Sequence, residues 1–201
     1  ALGLSTGLFY VPGNYTPTEE VIELAKVAGA LGGMHISHMR NEAEGVLDSV
    51  RETIAIGEKG GLPTQVTHHK AVGLPNHGRS VDTLKLVEEA RARGVDVTID
   101  QYPYTASSTG LTGLIPQWAQ EGGDADMRKR FQDPATRARL RAEIAVLIRD
   151  NRGGGDPKNV VFANCPFDTS LNGKNLGQVT DERGKSPTPE NAADTAMDLL
   201  M

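Results

Sequence analysis

Short apolar runs alternate with amphipathic segments over the first hundred residues of the chain. Four runs have the length and apolar content of strands, and they span residues 2–9, 34–39, 63–69 and 95–100. Each of the first three is followed by a segment whose apolar positions fall at helical spacing, for example Val46, Val50 and Ile54. Strands that alternate with helices in this way are typical of a parallel sheet, so the sequence predicts an α/β fold.

The predicted helices span residues 16–31, 42–59 and 80–93. Thr16 is a candidate N-cap for the first helix, and Glu19 would complete a capping box with it. The loops that follow the strands are longer than those that follow the helices. They lie at the C-terminal ends of the strands, where parallel sheets and barrels bind their ligands.

The alternation ends after Asp100, and this change predicts the domain organisation. We expect residues 1–110 to form the parallel βα units and residues 111–157 to form a helical insertion, with its helix at about 124–152. We expect residues 158–201 to contain a strand at 159–163 and a terminal helix at 187–201 that returns to the sheet.

Composition narrows the function classes. The apolar share of 38% and the charged share of 23% are ordinary for a globular domain. A net charge of -5 provides no broad basic field, so nucleic acids and membranes are not expected as partners. Cys165 is the single cysteine, which rules out an intramolecular disulfide or a cysteine-rich zinc module and favours a cytoplasmic location.

Two histidines occupy equivalent places at the ends of consecutive predicted strands. Because side chains alternate along a strand, His38 and His68 are each expected on the same face as the residue two before them, and His35 and His69 on the other face. Neighbouring parallel strands lie about 4.8 Å apart, so His38 and His68 are candidates to share one metal ion. The alternative is a structural role for both imidazoles.

Other polar residues follow the same strands. Lys70 is expected near the ligand-binding edge, where it would hold a carboxylate or remain exposed. Arg40 and Glu42, just past His38, either orient the site or form a surface ion pair, and the ion pair is the favoured interpretation. Asp100 ends the fourth predicted strand. It is a candidate metal ligand or general base, and the alternative is a residue that caps the loop. Tyr102 follows it as a candidate hydrogen-bond donor or a packing residue.

Several ordered motifs together resemble the D-aminoacylase (N-acyl-D-amino-acid deacylase) family of the amidohydrolase superfamily. The resemblance covers residues 1 to about 123 and rests on Gly3-Leu4-Ser5-Thr6-Gly7-Leu8, Ser37-His38-Met39-Arg40-Asn41-Glu42, Thr67-His68-His69-Lys70 and Asp100-Gln101-Tyr102-Pro103-Tyr104-Thr105-Ala106. It implies that the chain is part of a TIM-like (β/α)8 barrel, about the fourth to seventh βα units, with a helical insertion. Zinc is the cofactor that the resemblance implies.

The same resemblance assigns roles to individual residues. His38 and His68 match zinc-binding histidines, while Lys70, Tyr102 and Ser108 match positions that bind the substrate carboxylate or position the scissile amide. The family's His-x-Asp motif, its metal-binding cysteine and its catalytic aspartate have no match in these 201 residues. The chain is therefore expected to be an internal fragment that is inactive alone and associates with itself through unpaired strand edges.

The implied reaction is zinc-dependent hydrolysis of the amide bond of an N-acyl-D-amino acid to a carboxylate and a D-amino acid. Two alternatives stay open. One is a cyclic-amide hydrolase of the hydantoinase or dihydroorotase type. The other is a non-catalytic α/β binding module in which the histidines are structural.

Overall fold

The computed structural model describes residues 2–201 as two compact units, the first ending at Ala106 and the second spanning Ser107–Met201. The first unit contains four strands, which are β1 Gly3–Gly7, β2 Met34–His38, β3 Thr64–Val66 and β4 Val97–Ile99. All neighbouring pairs are parallel, and the strand order is β1-β2-β3-β4. The predicted parallel α/β arrangement is therefore confirmed.

Three helices connect these strands, namely α1 Thr18–Ala30, α2 Val46–Gly60 and α3 Ser80–Ala92. Their apolar stripes pack on the sheet, where Val50 and Ile54 of α2 join Val66, Val87 and Val97 in one buried cluster. Gly61 ends α2 in the left-handed conformation (φ 68°), which a residue without a Cβ adopts at little cost.

The predicted capping box of Thr16 and Glu19 at the start of α1 is wrong. Pro17 occupies the N-cap position, and no side chain caps the helix. Thr18 donates instead to the Glu52 carboxylate at 2.6 Å, which ties the start of α1 to α2.

The two faces of the sheet differ in burial. His35, Ser37, Thr64 and Val66 are buried on the helix-packed face. Residues of the opposite face, such as Gln65, are more accessible. His38 and Gln65 share that open face, because Ser37 lies opposite Val66 in the β2–β3 register.

The second unit is helical, with α4 Asp124–Gln132, α5 Pro134–Val146, α6 Leu176–Glu182 and α7 Pro189–Leu199. A π-helical turn at Leu147–Arg152 follows α5, and short 3-10 turns of this unit lie at Leu111–Leu114, Gln117–Gln120, Pro157–Asn159 and Thr169–Leu171. The first unit has 3-10 turns at Gly13–Tyr15 and Leu74–Asn76. The helices share one core that includes Phe131, Leu140, Ile144, Leu176 and Met197. The segments expected at 111–157 and 158–201 thus contribute to the same core.

Two predictions for this unit need correction. The helix expected at 124–152 is interrupted, because Asp133 caps a new helix through the Thr136 amide (2.8 Å) and Pro134 takes its first position. The strand expected at 159–163 is an isolated antiparallel bridge between Val161 and Asn175, since turns on either side leave no length for a ladder. Among residues 2–201, no helix combines the length and apolarity needed to span a membrane.

Candidate metal centre

The imidazoles of His38 and His68 lie against one another at the C-terminal edge of the sheet. Their ring centroids are 4.4 Å apart, with an interplanar angle of 74°. One ligand atom from each, together with a carboxylate oxygen of Glu42, forms a cluster in which all atoms lie within 4.8 Å of one another. The two rings are therefore as close as the strand pattern predicted.

The reason for this proximity differs from the predicted one. Ser37 lies opposite Val66, and the Thr67 amide donates to the Ser37 carbonyl, so a continued ladder would place Thr67 beside His38. Strict alternation would then send His68 to the helix-packed face. His68 instead adopts a left-handed backbone (φ 42°), the only positive φ of a non-glycine residue in the described part of the chain. This conformation breaks the alternation and turns the imidazole toward His38.

Asp100 holds the backbone of this turn. Its Oδ1 accepts a short hydrogen bond from the His68 amide, and its Oδ2 accepts one from Gln65 Nε2 at 2.5 Å. The Asp100 carbonyl accepts from the His69 amide at 2.8 Å. Of the roles left open for Asp100, the contacts fit the loop-capping one.

Glu42 is the residue that the sequence interpretation misplaced. Its side chain is 1% exposed, and its Oε1 lies 2.6 Å from Lys70 Nζ, 3.1 Å from His68 Nδ1 and 3.8 Å from His38 Nε2. The predicted surface ion pair with Arg40 is therefore wrong. The reason is local, because Asn41 Oδ1 accepts from the amides of Ala43 and Gly45 and forms a tight turn. Helix α2 then starts only at Val46, which leaves Glu42 directed inward.

Arg40 binds other partners on the opposite side of this turn. Its Nε and Nη2 atoms donate to the Glu52 carboxylate (Nη2 at 2.8 Å), and its Nη1 donates to the Asn14 carbonyl at 2.6 Å. A further bond from Nη2 reaches the Thr16 carbonyl at 2.8 Å. Arg40 thus joins the loop after β1 to α2, a structural role that needs the planar guanidinium.

Lys70 lies in the same cluster as the two histidines. Its ammonium contacts Glu42 Oε1, the His68 carbonyl and His68 Nδ1, the last two at 2.9 Å. It also lies 5.6 Å from the centre of the Tyr102 ring, a cation–π distance. Since its side chain is 19% exposed, Lys70 is neither a solvated loop residue nor fully enclosed.

Aromatic rings line the cluster. Tyr102 lies 6.4 Å from His68 between ring centroids, and Tyr10 lies 4.8 Å from His38. Tyr10 thus contacts one of the two candidate ligands. Ser108 belongs to the second unit, where it is exposed, and its predicted substrate contact stays a prediction.

His35 and His69 have structural environments on the helix-packed face. His35 bonds to Thr64 Oγ1 (2.8 Å) and Thr6 Oγ1 (3.0 Å), and burial lowers its pKa to about 4. His69 bonds to Thr83 Oγ1 at 2.8 Å, and burial, followed by the charge of Lys70, lowers its pKa. Both therefore stay neutral near pH 7 and point away from the metal-binding face, as predicted.

The donor set fits a divalent transition metal. Zinc binds imidazole nitrogens at about 2.0–2.1 Å and carboxylate oxygens at about 2.0–2.2 Å, so it needs donors that lie a few ångströms apart. His38, His68 and Glu42 meet this requirement. Lys70 competes for the Glu42 carboxylate, which makes the two imidazoles the better candidates for direct ligands.

Comparisons with known proteins point to one group of enzymes. The chain is 40% identical over 166 residues to an N-acyl-D-glutamate deacylase and 47% identical over 111 residues to a D-aminoacylase, both from Alcaligenes xylosoxydans xylosoxydans. These matches cover 83% and 55% of the chain, but only 32% and 23% of the relatives. The chain thus spans about a third or less of the relatives it matches. No family model matches it.

Solved structures agree with these relatives. One is the N-acyl-D-glutamate deacylase of Bordetella bronchiseptica, complexed with zinc and a phosphonate inhibitor. It is 31% identical to the chain, with a TM-score of 0.68, and the match covers 98% of the present chain and 33% of the deacylase. A D-aminoacylase structure is 31% identical to the chain, with a TM-score of 0.69. This match covers 100% of the present chain and 33% of the D-aminoacylase. The resemblance to this family and the fold of part of an amidohydrolase are therefore confirmed.

Proposed function

We propose that this chain, which corresponds to about a third of an N-acyl-D-amino-acid deacylase, carries part of the active site of such an enzyme. The reaction would be zinc-dependent hydrolysis of the amide of an N-acyl-D-amino acid to a carboxylate and a D-amino acid. The observation that supports it best is the convergence of His38, His68 and Lys70 at the C-terminal edge of a parallel sheet. The single cysteine is compatible with the predicted cytoplasmic location.

His38 and His68 would hold the zinc ion, and Glu42 would support His68. When bound, zinc supplies a Lewis acid for the scissile carbonyl and lowers the pKa of water. A His68 that ligates through Nε2 carries its proton on Nδ1, which lies 3.1 Å from Glu42 Oε1. The resulting Nδ1–H···carboxylate bond fixes the tautomer and orientation of a metal-binding histidine.

The same tautomer has a consequence for Lys70. Once Nδ1 is protonated, it no longer accepts a hydrogen bond from the ammonium, while the Glu42 carboxylate and the His68 carbonyl oxygen still do. One of the three N–H donors of Lys70 is then available for the substrate carboxylate. Tyr102, beside His68, and Ser108 would position the scissile amide.

Metal content and product analysis test the proposal. The protein expressed from its complete coding sequence should contain zinc, and His38→Ala or His68→Ala should abolish both zinc binding and release of acetate from N-acetyl-D-amino acids. His77→Ala is the matched control, because His77 is exposed on a loop. Hydrolysis of hydantoins alone would favour the cyclic-amide alternative, and a protein without bound metal would favour the binding module.

The 201-residue chain by itself is proposed to be inactive and to associate with itself. Only His38, Glu42 and His68 form a metal-competent cluster among residues 2–201, and β1 and β4 are edges of the sheet. Unpaired edges promote strand pairing between chains. Sedimentation together with a deacylase assay in added zinc measures both properties, and an active monomer would contradict the proposal.

A further inference from the structure

We propose that Asp100 is a positioning residue of the metal centre, which acts by holding the backbone of His68 in its left-handed turn. The inference rests on the proposed zinc site. It concerns a carboxylate that contacts the backbone of a ligand residue and lies outside the donor cluster of His38, Glu42 and His68.

The need for such a residue follows from the strand register. An undistorted β3 would present Thr67 beside His38 and direct His68 toward the helices. The left-handed turn corrects this, but it is unfavourable for a residue with a Cβ and persists only where surrounding contacts enforce it. The metal site therefore depends on whatever stabilises the turn.

The contacts of Asp100 suit this task. Its backbone amide donates to the Val66 carbonyl at 3.3 Å, and its carbonyl accepts from the His69 amide, so the backbone of Asp100, directly after β4, brackets the turn on both sides. Between these contacts, Oδ1 accepts from the His68 amide, and Gln65 holds Oδ2. A charged acceptor makes a stronger hydrogen bond than a neutral one.

This arrangement separates the role of the carboxylate from that of the strand. The two backbone bonds persist when the side chain is shortened, so Asp100→Ala should leave the sheet intact and release only the His68 amide. Asp100→Asn keeps a side-chain oxygen that accepts from the same amide. The alanine and asparagine variants therefore differ in the one contact on which the inference depends.

The experiment uses the protein expressed from its complete coding sequence and measures zinc affinity by chelator competition. Asp100→Ala should weaken zinc binding by about 10- to 100-fold, the usual effect of losing a residue that orients a ligand. Asp100→Asn should recover most of that affinity. Asp96→Ala is the matched control, because Asp96 is an exposed carboxylate just before β4, and it should bind zinc like the wild type.

The absorption spectrum of the cobalt-substituted protein is the second readout. It should change for Asp100→Ala, where the imidazole is displaced, and not for Asp96→Ala. If Asp100→Ala does not fold, Gln65→Ala should still show a smaller loss of affinity, because it removes the bond to Oδ2 together with one 3.3 Å bond from Thr98 Oγ1 and leaves the Asp100 side chain in place. The inference would be overturned if Asp100→Ala, or Gln65→Ala in its place, bound zinc as tightly as the wild type. It would also be overturned if Asp100→Asn bound zinc as weakly as Asp100→Ala. A wild-type protein that binds no zinc would instead overturn the proposed function.

Discussion

Replacement of Lys70 tests how the buried charges of the metal centre depend on one another. Lys70→Met removes the ammonium that lies 2.6 Å from Glu42 Oε1 while keeping much of the side-chain volume. The Glu42 side chain is 1% exposed, so its charge is left with little solvent to replace the lost partner. Removing one member of a buried ion pair costs about 3–5 kcal/mol. We expect the lower end, because Lys70 is 19% exposed and His68 Nδ1 stays within reach of Glu42.

The double variant Lys70→Met/Glu42→Gln separates stability from function. The neutral amide has no unpaired charge to bury, so the free energy of unfolding in urea should return most of the way to the wild-type value. On the proposed role of Lys70, the KM for N-acetyl-D-amino acids should be raised in both variants, since the substrate carboxylate would lack a charged hydrogen bond worth about 1.5–3 kcal/mol.

The assay pairs urea unfolding with steady-state kinetics on the complete protein. Lys85→Met is a suitable control, because Lys85 is a solvent-exposed lysine on α3 and should alter neither quantity. The reasoning fails if Lys70→Met is as stable as the wild type, because Glu42 would then need no counter-charge. An unchanged KM in Lys70→Met would refute the substrate-binding role of Lys70.

Three further predictions concern the scaffold. The folded imidazole of His35 titrates near 4 and the unfolded one near 6.5, so stability is full above pH 6.5 and falls by about 3 kcal/mol toward pH 4. Urea unfolding across this range should show the loss, and His35→Gln should remove this part of the slope. Arg40→Lys should lower the free energy of unfolding by about 1.5–3 kcal/mol, because an ammonium cannot reproduce the paired hydrogen bonds of the guanidinium to the Glu52 carboxylate. An unchanged free energy of unfolding would contradict this. Asp133→Ala should lower the free energy of unfolding by about 1 kcal/mol and reduce the helical circular dichroism, because α5 loses its cap. An equal loss of helical circular dichroism in Asp124→Ala would argue against capping as the cause.

Much of the first unit could be predicted from residue patterns. The apolar runs and the helical spacing of residues such as Val50 and Ile54 identify a parallel sheet, because these periodicities are local properties of the chain. Motifs around His38 and His68 were sufficient to indicate the family and the candidate ligands. The second unit was harder, since Asp133-Pro134 inside an otherwise helical pattern signals a new helix start that amphipathicity alone does not show.

Glu42 shows where pattern reasoning failed. Glu42 lies far from Lys70 along the chain, and a glutamate in a polar stretch resembles any surface residue. Its burial depends on the Asn41 turn and on the approach of Lys70 from the next strand, a contact between residues 28 positions apart. Long-range contacts of this kind have no signature in local periodicity.

The sequence by itself determined the alternating strands and helices of the first unit and which residue types reach the C-terminal edge of the sheet. It did not determine that His38 and His68 face each other, since alternation combined with the actual register would have separated them. That juxtaposition depends on the left-handed backbone of His68, held by Asp100 from 32 positions away. Strand register and backbone handedness are set by contacts between distant segments, so only the tertiary structure decided how the metal centre is assembled.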